Sequence, residues 1–524
     1  MRNTKLHRIG IIQPNSSGFV GGGGGGGSVT AFASFLQQAT YNDAMIADMT
    51  ASDTAGNVYV SSNAIQVGQK DMSLTKYATD GTIAWRYSYP HVDAAGPGVE
   101  NYRTRVADLK IDPSGNVFAC FLDPGTANPS STGVSGTYRL TLIKFNSDGD
   151  ILWQRTLRDE PTGQTFYFGS LAVDASGNAI VMFSAKLGLT APSGTLSNTT
   201  RNTYIVKYDS SGTQVFERAY QPINDNSGNY EQRSDIITDA TGNIYAQWMI
   251  WDKENIATIK LSPAGALLWD VYYSASDVPY FSGFAEVGGL GISSDGSTLI
   301  RGYSFTEGGN TDPGILIKVN TTTGAVTDRR TIVGASEVFS RIYDVKIDPA
   351  TDLVYIFGAQ NKTVGAIQPY LLVMDLNFNI QYFHDYAISP VGYQQIYIDY
   401  GANTFTNRGP RISIGTDNIA LAFLHDDNTA VNGLLLNFNK DGTGITAGTL
   451  VTSGRGVTYS LVTTGAPTFG TVSQLTDQWG APGNNNGGRV VDMSGTLTVA
   501  ETGVTTFGTK VALGALALPT VTLL

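Results

Sequence analysis

The stretch Asp53-Thr-Ala-Gly-Asn-Val-Tyr-Val60 recurs with small changes along the first half of this chain. Its other copies are Asp112-Pro-Ser-Gly-Asn-Val-Phe-Ala119, Asp174-Ala-Ser-Gly-Asn-Ala-Ile-Val181 and Asp239-Ala-Thr-Gly-Asn-Ile-Tyr-Ala246. An Asp at the first position of a turn can accept backbone N–H bonds, and the Gly supplies a positive φ. Apolar residues lie on both sides, so each copy predicts a strand, a tight corner and a second strand.

A second phrase follows each copy and has a Gly at its own corner. Its copies are Leu74–Trp85, Leu142–Trp153, Ile205–Phe216 and Ile259–Trp269. Four residues after that Gly stands an aromatic residue, Trp or Phe, which predicts a recurrent packing position. One repeat therefore contains two hairpins, or four strands, which is the composition of a propeller blade.

Weaker copies extend the series to seven repeats. They pair 290–299 with 316–324, 345–356 with 371–376, and 412–421 with 434–442, and the sixth repeat lacks its second Gly. The first corners are spaced by about 60 residues, more than minimal propeller repeats need. We therefore predict an all-β chain in which residues 44–455 form a seven-bladed β-propeller of four-stranded blades. Residues 1–43 form a non-repeat arm, and residues 456–524 form a C-terminal β block.

The blade phrases resemble the bacterial β-propeller repeat family and, more loosely, NHL and quinoprotein blades. The resemblance covers about four fifths of the chain. It implies the blade fold and no particular activity, because propellers carry many activities. Quinoprotein blades also contain a Gly-x-x-x-Trp-like element that packs blade against blade. The resemblance thus implies that Trp85, Trp153 and Trp269 pack between blades and do not bind a cofactor.

Composition excludes several classes of partner. The net charge is −11, and no basic stripe offsets it, which argues against nucleic acid. The basic terminus with Arg2, Lys5, His7 and Arg8 is interpreted as solvated. No apolar stretch is long enough for a membrane helix, so no membrane span is expected. The only cysteine, Cys120, lies in an apolar strand pattern and is predicted to be a buried small hydrophobe.

No residue set predicts catalysis. The histidines are His7, His91, His384 and His425. The run His425-Asp426-Asp427 could ligate a metal, but we interpret it as a polar loop between the second and third strands of blade 7. Asn146, Asp148 and Asp150 imitate part of a calcium loop, and turn chemistry explains them better. We assign no catalytic, cofactor or metal residue, and the binding residues stay unknown.

The two ends suggest assembly. Seven consecutive glycines, Gly21 to Gly27, join the basic terminus to Val29–Gln38, which reads as a short helix or a docking strand. Whether residues 29–43 complete a blade is open. Segments 457–462 and 490–499 read as strands. The apolar segment 511–524 has to pack on its own propeller or on another chain, and we favour another chain.

These observations favour a non-enzymatic structural protein of a bacteriophage virion, in the tail or tail fibre rather than as capsid decoration. We expect a homo-oligomer that contacts other virion proteins through residues 1–43 and 456–524, and a host-surface glycan or receptor through its loops. The absence of an apolar signal segment before Pro14 suits assembly in the host cytoplasm. The alternatives are a cell-surface or secreted binding propeller of a bacterium, and a glycan-acting propeller enzyme.

Overall fold

The computed structural model confirms the all-β fold. It describes residues 9–10, 32–38, 45–64, 72–89, 105–124, 138–159, 166–185, 190–191, 194–195, 202–221, 231–250, 255–274, 284–306, 314–333, 339–363, 366–389, 411–426, 431–443, 447–452, 455–462, 468–471, 489–492 and 509–511. Every regular element in these residues is a β-strand, and the strands form seven antiparallel blades around one axis.

The strands are numbered along the chain. Before the ring lie β1 (Ile9–Gly10) and β2 (Phe32–Gln38). Blade 1 contains β3 (Met45–Ser52), β4 (Val58–Ala64), β5 (Met72–Tyr77) and β6 (Ile83–Tyr89). Blade 2 contains β7 (Arg105–Ile111), β8 (Val117–Pro124), β9 (Tyr138–Phe145) and β10 (Ile151–Asp159). Blade 3 contains β11 (Phe166–Val173), β12 (Ala179–Ala185), the small hairpin β13 (Thr190–Ala191) and β14 (Gly194–Thr195), then β15 (Asn202–Tyr208) and β16 (Gln214–Gln221).

The remaining blades follow the same order. Blade 4 contains β17 (Glu231–Thr238), β18 (Ile244–Ile250), β19 (Asn255–Leu261) and β20 (Leu267–Ser274). Blade 5 contains β21 (Phe284–Ile292), β22 (Thr298–Thr306), β23 (Gly314–Asn320) and β24 (Val326–Val333). Blade 6 contains β25 (Phe339–Ile347), β26 (Val354–Thr363), β27 (Ala366–Met374) and β28 (Ile380–Ser389). Blade 7 contains β29 (Arg411–Ile414), β30 (Asn418–Asp426) and β31 (Val431–Asn439), and the chain ends with β32 (Ala447–Thr452), β33 (Arg455–Val462), β34 (Thr468–Thr471), β35 (Arg489–Asp492) and β36 (Thr509–Val511).

The N-terminal arm closes the ring. Strand β2 pairs antiparallel with β31 and becomes the outer strand of blade 7, whose own repeat supplies only three strands. This pairing shows that residues 32–38 complete blade 7 as a docking strand and not as a helix, whereas residues 29–31 and 39–43 lie outside the described residues. The first strands β29 and β3 meet at the junction, where Val58, Val60, Ala420 and Leu435 are buried together. The first and last repeats are thereby joined.

The first corners of blades 1 to 4 follow the predicted Asp chemistry. Asp53 Oδ1 accepts the N–H groups of Ala55 at 3.0 Å and Asn57 at 2.9 Å, while Oδ2 accepts Asn57 Nδ2 at 2.8 Å. Gly56 adopts φ = 86°, a value that favours glycine. In the third blade, burial opposes the charge of the corner carboxylate Asp174, but hydrogen bonds from Asn178 and the ammonium of Lys207 outweigh that effect. They lower the pKa of Asp174 below its ordinary 3.8.

The hydrophobic core lies between neighbouring blades. The aromatic residue of the second phrase packs on the second-corner glycine of the next blade, which confirms the packing role of the tryptophans. Trp85 Nε1 donates to the Ser147 carbonyl at 3.0 Å, and a Cβ on Gly149 would lie 2.9 Å from the Trp85 ring. The same donation is made by Trp153 to Ser210 and by Trp269 to Thr321. In blade 6 the missing glycine is replaced by Phe378, which adopts φ = 64°.

The C-terminal residues add a fifth strand to several blades. Strand β33 pairs with β28 of blade 6, β34 with β24 of blade 5, β35 with β16 of blade 3, and β36 with β6 of blade 1. We call β33 to β36 the C-terminal edge strands. Along the chain they therefore contact the blades in the order 6, 5, 3 and 1, which is the reverse of the order of the blades in the sequence. These strands pair with the chain's own propeller. Apart from Val511, the apolar segment 511–524 lies outside the described residues, so its packing on this propeller or on another chain stays a prediction.

We predict that Gly149→Ala destabilises the protein more than Gly115→Ala. Both glycines lie in blade 2 with nearly equal φ, 84° and 81°, so the backbone strain of about 1–2 kcal/mol is shared. Only Gly149 lies under the Trp85 ring, whereas the nearest atom to a Cβ on Gly115 is 4.0 Å away. Urea unfolding should show an additional loss of about 1–3 kcal/mol for Gly149→Ala. Equal losses would contradict the blade-to-blade contact.

Deletion of residues 1–40 should open the ring. The deletion removes β2 and exposes the edge of β31, which is a site for aggregation. We expect the Tm to fall by roughly 5–10 °C and aggregation to increase with concentration. Deletion of residues 1–30 keeps β2 and is the matched control. If the two truncated proteins melt at the same temperature, β2 does not close the ring.

Candidate functional site

The first strands bring charged residues together on the propeller axis. A cavity of about 260 Å³ lies there, lined by residues from blades 1, 2, 4, 6 and 7. Its charged lining residues come four and two positions before the first corners and are Asp108, Lys110, Asp235, Asp344, Lys346 and Arg411. We call these six residues the axial cluster. It contains three carboxylates and three cations.

The carboxylates occupy alternate blades and link each to its successor. Each one accepts the N–H of the following residue and an N–H from the first strand of the next blade. The cross-blade bonds are Leu171 N to Asp108 Oδ2 (2.8 Å), Leu290 N to Asp235 Oδ2 (2.8 Å) and Ile412 N to Asp344 Oδ2 (3.1 Å). A carboxylate held by two backbone donors is fixed in position. These aspartates therefore belong to the scaffold as well as to the site.

Lys346 joins two carboxylates across the axis. Its Nζ lies 3.2 Å from Asp344 Oδ1 in blade 6 and 3.3 Å from Asp235 Oδ2 in blade 4. Burial disfavours the charged amine, but Asp235 and Asp344 outweigh burial and raise the pKa of Lys346 above its ordinary 10.5. Lys346 is therefore a fixed cation at physiological pH and is unsuited to act as a general base.

Blade 5 is shaped to let this contact form. Its first strand has Gly289 and Gly291 at the fourth and second positions before the corner, where every other blade carries a side chain, and Gly288 precedes them. A Cβ on Gly289 would lie 2.5 Å from Val345 N, and one on Gly291 would lie 2.6 Å from an Ile347 side-chain carbon. The glycines permit close approach of blades 5 and 6. They also leave blade 5 without a large side chain between Asp235 and Lys346.

Arg411 completes the axial cluster from blade 7. Its Nη1 lies 3.3 Å from Asp344 Oδ1. Burial opposes its charge, but Asp344, Asp235 and Asp108 raise its pKa above the ordinary value. Nε of Arg411 is buried and has no hydrogen-bond partner among the described residues. The Arg411 side chain as a whole is 15% exposed and lines the cavity, so its guanidinium can contact an added oxygen acceptor.

The cations are more accessible than the carboxylates. The side chains of Lys110, Lys346 and Arg411 are 28%, 23% and 15% exposed. Those of Asp108, Asp235 and Asp344 are 8%, 3% and 0% exposed. Because the amines and the guanidinium are more exposed than the carboxylates they neutralise, the axial cluster offers positive charge to a ligand more readily than negative charge, although its formal charges balance.

Beside Arg411, the junction of blades 1 and 7 contributes hydroxyl groups to the cavity lining. Ser52 Oγ lies 2.8 Å from Ser413 Oγ, and Thr50 Oγ1 lies 3.3 Å from the same oxygen, so three hydroxyls join blades 1 and 7. We call Thr50, Ser52 and Ser413 the hydroxyl seam. Ile111, Ile237, Ile347 and Pro349 add apolar surface. The cavity thus combines cations, hydroxyl groups and hydrocarbon.

The residues singled out by sequence lie elsewhere. His384 is half-buried on the outer strand β28, and burial lowers its pKa. Asn146 Oδ1 accepts the N–H groups of Asp148 and Asp150 at 3.0 and 2.8 Å, which confirms the turn interpretation. His425 and Asp426 end strand β30, so the loop placement was wrong by two residues. His7, His91 and Asp427 lie outside the described residues.

The axial cluster was missed, although a signal existed. When the first strands are aligned on their corners, the fourth position before the corner reads Met49, Asp108, Ser170, Asp235, Gly289, Asp344 and Arg411. Charged residues at a position that faces a closed axis are unusual in a chain with only 15% charged residues. That alignment would have indicated the site.

Comparisons with known proteins give only distant likenesses to solved structures. No family model and no curated protein matches the chain. Among solved structures it is similar to the Dos1 propeller, with 10% identity, a TM-score of 0.40, and coverage of 78% of this chain and 94% of that one. It is similar to the polysaccharide lyase Uly1, with 10% identity, a TM-score of 0.44, and coverage of 82% and 97%. A quinohemoprotein alcohol dehydrogenase from Comamonas testosteroni gives 11% identity, a TM-score of 0.38, and coverage of 81% and 78%.

These likenesses show the fold alone, and they correct one expectation. We expected that the chain is not an enzyme, because it is a propeller without a recognised catalytic motif. That expectation was wrong. Proteins of the same fold include a polysaccharide lyase and an alcohol dehydrogenase. The resemblance to propeller repeats is supported at the level of the fold, and the bacteriophage assignment stays a prediction. The described residues contain no helix of the length and hydrophobicity that crossing a membrane requires.

We predict that Lys346→Met lowers the free energy of unfolding by about 2–3 kcal/mol, since Asp235 loses its cation. The raised pKa means that this stabilisation is complete below pH 10.5 and is lost only as the pH rises through the folded-state pKa. Urea unfolding from pH 6 to 11 should therefore give a constant difference between the variant and the natural protein up to about pH 10. A difference that disappears by pH 9 would contradict the paired geometry.

Proposed function

We propose that the protein is a recognition propeller that binds an anionic group in its axial cavity. The observation that carries the proposal is that the Arg411 guanidinium and the partly exposed amines of Lys110 and Lys346 line one cavity. Fixed cations over buried carboxylates attract an anion without rearrangement, because the scaffold already holds them. The partly exposed guanidinium of Arg411 supplies charge-assisted donors.

Strand geometry places the cavity at one end of the axis. Its lining residues directly precede the first corners, so it lies toward the face that carries the corners. In an antiparallel four-stranded blade, the connections from second to third strand and from blade to blade lie on the opposite face. A ligand therefore approaches the axial cluster from the corner face.

The biological setting is a further part of the proposal. A propeller that binds an anion suits the platform of a virion tail that meets a charged host surface, and it equally suits a bacterial surface protein. The seven-glycine arm and the apolar end favour the virion setting. Mass spectrometry of purified particles tests this placement, and absence of its peptides from every particle would overturn it.

Chemistry on the bound ligand is the second candidate. The specific observation is that Lys346 and Arg411 are permanent cations, which can stabilise negative charge that develops on a substrate. The axial cluster would then neutralise the acidic group of the substrate. Turnover of an acidic polysaccharide by the purified chain, lost in Arg411→Gln, is the evidence that this candidate needs.

Binding is tested first with simple anions. We expect sodium acetate and sodium sulfate, each measured by isothermal titration calorimetry against a sodium chloride background, to bind one site per chain. Sulfate should bind more weakly, because its second negative charge lies close to the buried carboxylates. Arg411→Gln should weaken both by at least tenfold, about 1.4 kcal/mol, because it removes the charge and the donor geometry.

The matched control is Lys76→Met. Lys76 also donates to a backbone carbonyl, that of Ser147 at 2.9 Å, but it lies on β5, the third strand of blade 1, and not on the axis. This variant removes one positive charge and should leave anion binding unchanged. Equal weakening in both variants would show that only the net charge matters. Absence of binding by the natural protein would overturn the proposed function.

A further inference from the structure

The lining of the axial cavity specifies a narrower ligand than an anion. We infer that the cavity binds the terminal unit of an acidic saccharide, with its carboxylate on the cations of the axial cluster. This inference rests on the proposed function. A hexuronate ring presents a carboxylate, several hydroxyls and an apolar ring face. The cavity offers a counterpart for each of these groups: cations for the carboxylate, the hydroxyl seam for the hydroxyls, and apolar side chains for the ring face.

The spacing of Arg411 and Ser413 supports this match. The two residues are separated by one position on β29, so they are on the same side of the strand. Their Cα atoms are therefore about 7 Å apart. A single pyranose ring has about that width between its carboxylate and the hydroxyls across the ring. Arg411 and Ser413 can thus bind opposite sides of one ring.

The hydroxyl seam has unused hydrogen-bonding capacity. Each hydroxyl has one donor and two acceptor sites. Ser413 Oγ lies within bonding distance of both Ser52 and Thr50, yet three hydroxyls contacting one another in a row can still accept and donate outward. Sugar hydroxyls, which also donate and accept, match such a row better than a carboxylate or a hydrocarbon does.

Charge balance favours a carboxylate over a phosphate. The axial cluster already contains three carboxylates beside three cations. A phosphate monoester would bring nearly two negative charges next to Asp235 and Asp344, which are 3% and 0% exposed and therefore poorly screened. A single carboxylate adds one charge and can accept both an Arg411 and a lysine donor.

The size of the cavity favours a chain end. Its volume of about 260 Å³ lies below the range of pockets that hold drug-sized ligands, so it accommodates about one sugar ring. First strands surround the axis, so a polymer cannot lie across the cavity and leave on both sides. A saccharide chain therefore enters with its terminal unit.

The first experiment measures monosaccharides by isothermal titration calorimetry. Glucuronate should bind at least tenfold more tightly than either acetate or glucose, since it alone uses both the axial cluster and the hydroxyl seam. Ser413→Ala should weaken glucuronate by about three- to tenfold and leave acetate unchanged. Thr50→Val is a second seam variant for the case that Ser413→Ala lowers the Tm. Glucuronate no tighter than acetate would overturn the inference and leave the anion site intact.

The second experiment tests the chain end. Oligouronates of two, four and eight units should each bind one protein molecule per saccharide chain, and their affinities should be similar. A stoichiometry that rises with chain length would show binding along the polymer and would overturn the terminal-unit assignment. If acetate, sulfate and glucuronate all fail to bind, the proposed function itself is wrong, so the two failures are distinguishable.

Discussion

The structure depends on one repeated contact, in which the aromatic residue of an outer strand covers the corner glycine of the next blade. The contact needs a bare Cα beneath the ring, as Gly149 provides for Trp85. It also needs an indole N–H that reaches a carbonyl of the neighbouring corner. The contact recurs at the four interfaces from blade 1 to blade 5, where Trp85, Trp153, Phe216 and Trp269 each cover the glycine of the next blade. The ring as a whole brings β29 of the last blade beside β3 of the first.

Contacts near the axis also link each blade to the next, but they are made by charged side chains instead of aromatic ones. Asp108, Asp235 and Asp344 each bind the backbone of the following blade, so the carboxylates that align the inner strands also hold the cations of the axial cluster. Burial of a carboxylate is costly unless donors surround it. The scaffold supplies those donors from two blades at once. Stability and ligand recognition thus draw on the same three side chains.

The blades could be predicted from sequence because their signals are local. A corner such as Asp53 to Asn57 contains its own donors and acceptors within five residues, and the aromatic position repeats at a fixed distance from its glycine. Even the weak sixth repeat kept its place, since Phe378 adopts the positive φ that a glycine would have taken.

The axial site and the chain ends depend on distant pairing. Lys346 meets Asp235 across 111 positions of sequence, and β2 meets β31 across some four hundred. The sequence around either member of these pairs does not indicate which distant residue it contacts. The glycines of blade 5 were visible as a run but had no meaning until blade 6 was placed against them. Only the alignment of all first strands on their corners would have brought the axial residues into one register.

The C-terminal edge strands have a mechanical consequence. Since β33, β34, β35 and β36 are hydrogen-bonded in turn to blades 6, 5, 3 and 1, one continuous segment of the chain links the outer edges of four blades. The opposite terminus fastens blade 7 through β2. Peeling the ring from either end therefore requires an edge strand to detach before a blade can leave. Such a ring loses its structure slowly, because rupture at a terminus does not by itself free a repeat. The strand connectivity thus slows unfolding from the termini, in addition to the stability that the free energy of the core provides.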